Sequence, residues 1–274
     1  MSKVAFLGPE GTFSDILARK RFGTDHPHEA CPTIEAVFDA VADGQVPAGL
    51  VPVENSSGGT IHDTVDLLLR HAGRIFVREE LSLDIRIALL GRPGAEIRTV
   101  FSHFIQIKYY SDWLRERHPA AQLLPVESTA VAARRAADTP GSAALASPSS
   151  APLYGLDVLE IPATPCEVNL TSFFVVARSP ISPEGQLKTG LFATLPNECG
   201  SLHRFLGPFA CEEVSLTRIV SRPVPGQPQT YVFYTEIEGG ADEPHVARAL
   251  DQATHLTRSL VSIGSFRVGR RFQS

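Results

Sequence analysis

The chain has 274 residues, 43% hydrophobic and 20% charged, with a formal net charge of −5. That length carries a sizeable core and suggests two domains, while the acidic balance leaves no basic footprint for nucleic acid. No apolar run reaches the roughly 18 residues of a membrane-spanning helix, and the four cysteines (Cys31, Cys166, Cys199, Cys211) show no CxxC spacing that would indicate a zinc site or a disulfide framework. A reducing cytoplasm is the expected home. The N-terminus reads as a short strand, Val4–Leu7, and not as a leader. A turn follows, Gly8-Pro-Glu-Gly-Thr-Phe-Ser14, in which Thr12 and Ser14 offer hydroxyls at a helix start.

Helices are predicted over residues 14–22 and 33–43, the second with Ile34, Val37, Phe38 and Val41 on one face. A strand over 49–53 runs into Glu54-Asn-Ser-Ser-Gly-Gly-Thr60 and then a helix over 63–70. Ser56, Ser57 and Thr60 are natural N-cap residues, so this stretch is expected to be a strand, a tight turn and a helix N-terminus that cradles a small anion. Extended segments follow over 75–90, a strand over 99–102 ending in Ser102-His103, and helices over 109–117 and 130–137. Glu127-Ser-Thr129 forms a cap cluster before the second of these helices. Strands over 143–147 and 175–177 close the region, the last preceded by the polar trio Asn169, Thr171 and Ser172, which also suits an edge strand. Alternation of strand and helix argues for parallel α/β architecture.

Residues 179–185 are a linker by composition, and the grammar then changes. Strands over 189–195, 214–219, 231–236 and 261–268 and helices over 200–209 and 243–257 give the order β-α-β-β-α-β, with a Pro/Gly-rich turn over 223–228. That order is the ferredoxin-like split unit.

Together the turns place Ser, Thr, Asn and Glu at strand-to-helix junctions. Two lobes facing a cleft would bind a small polyanion through backbone N–H groups and hydroxyls. Here the residues resemble a known family. Gly8–Ser14, Pro52-Val-Glu-Asn-Ser56, Ser102-His103, Glu127-Ser-Thr-Ala130, Leu153-Tyr-Gly-Leu156 and Asn169-Leu-Thr171 are similar, in order and spacing, to the motifs of prephenate dehydratases. The tail resembles an ACT regulatory domain through Gly200-Ser-Leu202 and Ser221-Arg-Pro223.

The resemblance implies two α/β lobes like those of type II periplasmic-binding proteins over residues 1–180, a linker over 181–186, and a ferredoxin-like ACT domain over 187–274. It implies prephenate as substrate, phenylpyruvate as product and no metal or organic cofactor. It also implies a homodimer or homotetramer, with L-phenylalanine as an effector held near Gly200, Leu202 and Ser221. Thr171 matches the family's hydroxyl donor to the leaving group. Thr12, Asn55, Ser56, Glu127, Ser128, Thr129, Asn169, Ser172 and Phe173 match the substrate-binding pieces, and His103 is a proton carrier or a structural residue.

Departures from the family are also legible. Its Thr-Arg-Phe reads Thr171-Ser-Phe173, its Ser-His-Pro-Gln reads Ser102-His-Phe-Ile105, a frequent histidine is Ile87, and the acid before Ser221 is Val220. Loss of an arginine suited to bidentate carboxylate binding keeps a second outcome open, a non-aromatising prephenate decarboxylase. A non-catalytic sensor of small acids or amino acids is a third.

Overall fold

The computed structural model describes residues 3–162, 169–181, 184–224, 226–227 and 230–274. Cys166 lies outside these residues, as do Ser182 and Pro183 of the expected linker and Pro225 and Pro228 of the expected turn. In the first lobe β1 (Val4–Leu7) pairs in parallel with β2 (His28–Cys31) and β3 (Ala48–Asn55). The helices α1 (Phe13–Phe22), α2 (Ile34–Ala42) and α3 (His62–Arg70) pack on this sheet. In α2 the i, i+3, i+4, i+7 spacing buries Ile34, Val37, Phe38 and Val41, and Thr33 caps it by accepting from the Ala36 N–H at 3.0 Å.

The 51–61 stretch departs from expectation. It is a hairpin, not a capped helix start: β3 ends at Asn55 and returns as β4 (Gly59–Thr60), paired to Glu54 and Asn55. Asn55 Oδ1 accepts from the Ser57 and Gly58 N–H groups at 2.9 and 2.8 Å. This side-chain turn competes with helix and wins. Helix α3 therefore starts only after the hairpin, with Ile61 at its N-cap and no side-chain cap, so Ser56, Ser57 and Thr60 do not cap it.

The chain leaves the first lobe through β5 (Phe76–Asp84) and enters the second through β6 (Ala88–Gly91). The second lobe continues with β7 (Thr99–His103), α4 (Phe104–Arg117), β8 (Gln122–Val126), α5 (Thr129–Asp138), β9 (Ser142–Ala146) and β10 (Asp157–Glu160). Its sheet has the order β10-β6-β9-β7-β8. The return strand β11 (Leu170–Ala177) inserts between β5 and β3, antiparallel to both. It is an interior strand and not an edge, and the lobes are mixed rather than purely parallel. Two crossings between lobes make the return pairing antiparallel.

The tail consists of β12 (Leu187–Thr194), α6 (Ser201–Cys211), β13 (Leu216–Pro223), β14 (Tyr231–Glu238), α7 (Pro244–Thr254) and β15 (Ser259–Gln273). Its strand order, β13-β14-β12-β15, is that of the ferredoxin-like unit. Side chains alternate across β12 and β14. Leu191, Ala193 and Ile237 meet Phe205, Phe209 and Val246 of the two helices on one face. On the other, Phe192, Val232 and Tyr234 join Val53, Val65, Leu68 and Phe174 in one continuous core with the first lobe. The long β15 also pairs in parallel with β5, so the tail sheet extends the sheet of the first lobe.

Candidate active site

A cavity of about 510 Å³ lies between the lobes, and three helices start on its wall. Thr12, Phe13 and Ser14 bring in the N-terminus of α1, His103, Ile105 and Gln106 that of α4, and Ser128, Thr129 and Val131 that of α5. Each first turn carries backbone N–H groups without intrahelical acceptors, and the aligned peptide dipoles place roughly half a positive charge at each end. Among the described residues no Lys or Arg lines the cavity, and Glu127 is its one carboxylate. Positive potential there comes from backbone, not from side-chain cations. Leu7, Ile61, Ile85 and Phe173 supply an apolar floor.

Thr171 sits 7% exposed on the cavity wall, across the β3–β11 ladder from Asn55. Asn55 Nδ2 donates to Thr171 Oγ1 at 2.8 Å and to Asn169 Oδ1 at 3.2 Å, while Asn55 Oδ1 is held by the hairpin turn. Both ends of the amide are therefore fixed. The donation occupies a lone pair on Thr171 Oγ1, which leaves that hydroxyl's own proton for another acceptor. The sequence could not show this division of labour, because Asn55 and Thr171 are 116 residues apart.

The other expected residues separate into two groups. Thr12, Glu127, Ser128, Thr129 and Phe173 line the cavity with Asn55 and Thr171. Thr12 donates to the Leu7 carbonyl and accepts from Asp15 N–H, and Ser128 accepts from Val131 N–H, so both are also caps. Ser56, Asn169 and Ser172 are not brought to the cavity wall. Ser56 Oγ accepts from Leu170 N–H at 2.9 Å and ties the hairpin to β11. Ser172 lies between Thr171 and Phe173, so strand alternation turns it to the reverse face of the sheet, opposite Glu54 in register. The missing arginine at this position is therefore not a loss from the cavity itself.

His103 lines the cavity and is half buried, and burial pushes its pKa down, which keeps the imidazole neutral near pH 7. Gln106 was not foreseen. It is buried at the cavity wall, and its Oε1 has no hydrogen-bond partner. The signal was present one position beyond the expected amide: Ile105 replaces it, and Gln106 follows on the first turn of α4. Ile105 instead closes the mouth, since a Cβ on Gly58 would stand 2.9 Å from Ile105 Cδ1. Beside it the Tyr109 hydroxyl donates to the Ser57 carbonyl at 2.9 Å. Across the cleft Ser150 and Tyr154 donate to the carbonyls of Gly11 and Glu10, so both sides of the lobe junction are tied.

Among the described residues no three His, Cys, Asp or Glu side chains gather as a metal site, and no helix is long and apolar enough to cross a membrane. The family model for prephenate dehydratase matches residues 4–181. A bifunctional chorismate mutase/prephenate dehydratase of Stutzerimonas stutzeri is 34% identical over 96% of this chain and 73% of its own length. The solved structure of a prephenate dehydratase from Arthrobacter aurescens in complex with L-Phe superposes with a TM-score of 0.87 at 30% identity, over 97% of this chain and 90% of that one. A second structure, described as GqqA, a novel type of quorum quenching acylase, gives 0.86 at 26% identity over 97% and 98%. The fold thus carries more than one activity name, and the site has to decide between them. On the extent of the family match and the identity to curated relatives, the chain belongs to the prephenate dehydratase family.

Proposed function

We propose that this chain converts prephenate to phenylpyruvate, with loss of CO2 and hydroxide, as a step in L-phenylalanine biosynthesis. The observation that carries the reading is the Asn55–Thr171 pair set below three helix N-termini in one cavity. Prephenate brings two carboxylates and one hydroxyl. Helix N-termini suit the carboxylates without any lysine or arginine. In the reaction the bond from ring to carboxylate breaks and its electron pair becomes ring π density. The C–O bond breaks with it, and oxygen leaves as hydroxide, which then takes a proton.

Hydroxide leaves badly unless a donor meets its developing charge, and the Thr171 proton is oriented for that task by Asn55. A threonine hydroxyl is too weak an acid for outright transfer at neutral pH. Its contribution is a hydrogen bond that strengthens as charge grows on the leaving oxygen, while aromatisation supplies the driving force.

Gln106 completes the site. The hydroxyl is the one hydrogen-bond donor on the prephenate dianion, and Gln106 Oε1 is an acceptor without a partner. The terminal torsion of glutamine is soft enough to turn that oxygen into the cavity. Gln106→Leu is expected to raise KM about tenfold, the scale of one lost hydrogen bond, without lowering the melting temperature, because it removes a buried group that the free protein leaves unsatisfied. Steady-state kinetics and thermal melts check both halves.

The reading as a whole is tested by incubating the protein with prephenate and following ultraviolet absorbance with mass detection. Phenylpyruvate supports dehydration. A product that loses CO2 but keeps the hydroxyl and the non-aromatic ring favours a decarboxylase, and binding without turnover favours a sensor.

We further propose residues 1–180 as the catalytic region, 181–186 as linker and 187–274 as an ACT-like regulatory domain for L-phenylalanine, in a cytoplasmic homo-oligomer. The β-α-β-β-α-β order supports the domain. Leu202 lines a second cavity of about 170 Å³ with Ser201, Tyr231, Phe233 and Arg258. Gly200 is the N-cap of α6, and Ser221 lies exposed on the edge strand β13, where a second copy would bring further groups.

A further inference from the structure

Arg218 stands on β13 of the tail, 164 residues from Glu54 in sequence, yet its Nε donates to Glu54 Oε2 at 2.8 Å and its Nη2 lies 2.7 Å from the same oxygen. The guanidinium is almost fully buried, with its Cζ 5.7 Å above the Phe174 ring. It also pairs with Glu80 of β5 at 3.3 Å and with Glu236 of β14. Lys188 of β12 closes the group through Glu80 at 2.5 Å and Glu236 at 3.7 Å. These charges bridge the tail to the reverse face of the sheet whose front face holds Thr171.

The site of attachment matters. On β3, Glu54 immediately precedes Asn55, and the two point to opposite faces of the strand. The rung Glu54–Ser172 lies next to the rung Asn55–Thr171, where the ladder ends. Just before these rungs the register shifts, because Ser172 pairs with Glu54 but Phe173 pairs with Pro52, which leaves Val53 as an extra residue. A bulge loosens the ladder locally, and Pro52 has no N–H to donate. Past the bulge the backbone closes these rungs through the β4 pairing and the Ser56 N–H on the Leu170 carbonyl at 2.8 Å, and what it leaves open is how the bulged segment sits on the reverse face. Ser172 is too short to reach across the reverse face, whereas Arg218, with Nε and Nη2 both on Glu54 Oε2, fastens the strand there by a charge-assisted hydrogen bond.

We propose that Arg218 is a positioning residue: by holding Glu54 it fixes the end of β3, and so the Asn55 amide that orients the Thr171 hydroxyl. The tail is then part of the catalytic geometry as well as a regulatory domain. The proposal uses the dehydratase reading only for the choice of turnover assay.

Glu54→Gln is the test, since Glu54 is 40% exposed in its side chain and the variant keeps its shape. The expected result is a fall in kcat of about tenfold with KM within about twofold, the pattern of a misplaced catalytic group. Hydrogen exchange of the backbone over residues 55–58 is expected to speed up by a similar factor. Arg218→Lys, which keeps the charge and loses the fork, is expected to fall between the two.

Asp66→Asn is the control. It breaks a separate tail-to-lobe pair, Arg222–Asp66 at 2.5 Å on α3, and should leave kcat and the 55–58 exchange unchanged. Unchanged turnover and exchange in Glu54→Gln overturn the proposal, as does an equal loss in Asp66→Asn. Should the unmodified protein not turn prephenate over, the dehydratase reading falls, and the exchange measurement still decides on Arg218.

Discussion

Thr171→Ala is expected to lower kcat about 100- to 1,000-fold and to leave KM within about threefold, the signature of an interaction made chiefly in the transition state. On the proposed reading the hydroxyl faces a neutral C–OH in the bound substrate and a nearly free hydroxide at the top of the barrier. The hydrogen bond it offers is weak in the first case and charge-assisted in the second. Its orientation is set before substrate arrives, because Asn55 Nδ2 already occupies one lone pair. Thr171→Ser should keep most of the activity, since the donor remains. Asn55→Leu should lose nearly as much as Thr171→Ala, because it removes both the orienting donor and the Oδ1 acceptor of the hairpin turn. Kinetics on folded, melt-checked variants decide the matter, and near-normal turnover in Thr171→Ala removes that residue from catalysis.

What the sequence could reveal depended on distance along the chain. Local devices were legible: the apolar spacing inside α2, the strand at Val4–Leu7 and the order of elements in the tail all follow from neighbours within a few residues. The edges β2 and β10 are short and mixed in polarity, so their patterns carry little signal. β11 also suited an edge because Asn169, Thr171 and Ser172 are polar, but Asn169 and Thr171 are polar to meet Asn55, and Ser172 faces the reverse side of the sheet opposite Glu54. The hairpin at residues 55–60 has a physical reason as well. Ser and Thr before a helical pattern suggest a cap, but the Asn55 side chain reached the turn amides first. The Glu54–Arg218 pair was beyond reach for another reason: nothing in the 54 or 218 neighbourhoods names the other.

The same cluster governs stability. Arg218→Met is expected to cost about 3–5 kcal/mol, the usual penalty for removing one partner of a buried ion pair, and hence to lower the melting temperature by about 10 °C, at roughly 2–4 °C per kcal/mol for a chain of this size. Three carboxylates, Glu54, Glu80 and Glu236, share two cations, Arg218 and Lys188, so the group is one positive charge short before any substitution. Burial pushes the Glu236 carboxyl up, and the attraction of Arg218 offsets only part of that. Burial also works against the charge on Arg218, yet Glu236, Tyr234, Glu80 and Glu54 together outweigh it and hold the guanidinium protonated above its usual range.

The sign of the pH dependence follows. A carboxyl with a raised folded pKa keeps its proton where the unfolded chain has lost it, so stability is fully present below the unfolded value and declines as pH rises through the folded one. Without Arg218 that decline runs on to higher pH, and the variant should stand closest to the unmodified protein in mild acid and furthest from it above neutrality. Adding Glu236→Gln to Arg218→Met removes the stranded charge and should recover part of the loss, mainly at high pH. Melts of the single and double variants between mild acid and mild alkali read out both effects. A loss that is the same at every pH, or no recovery in the double variant, would mean that Arg218 acts by packing over Phe174 and not by its charge.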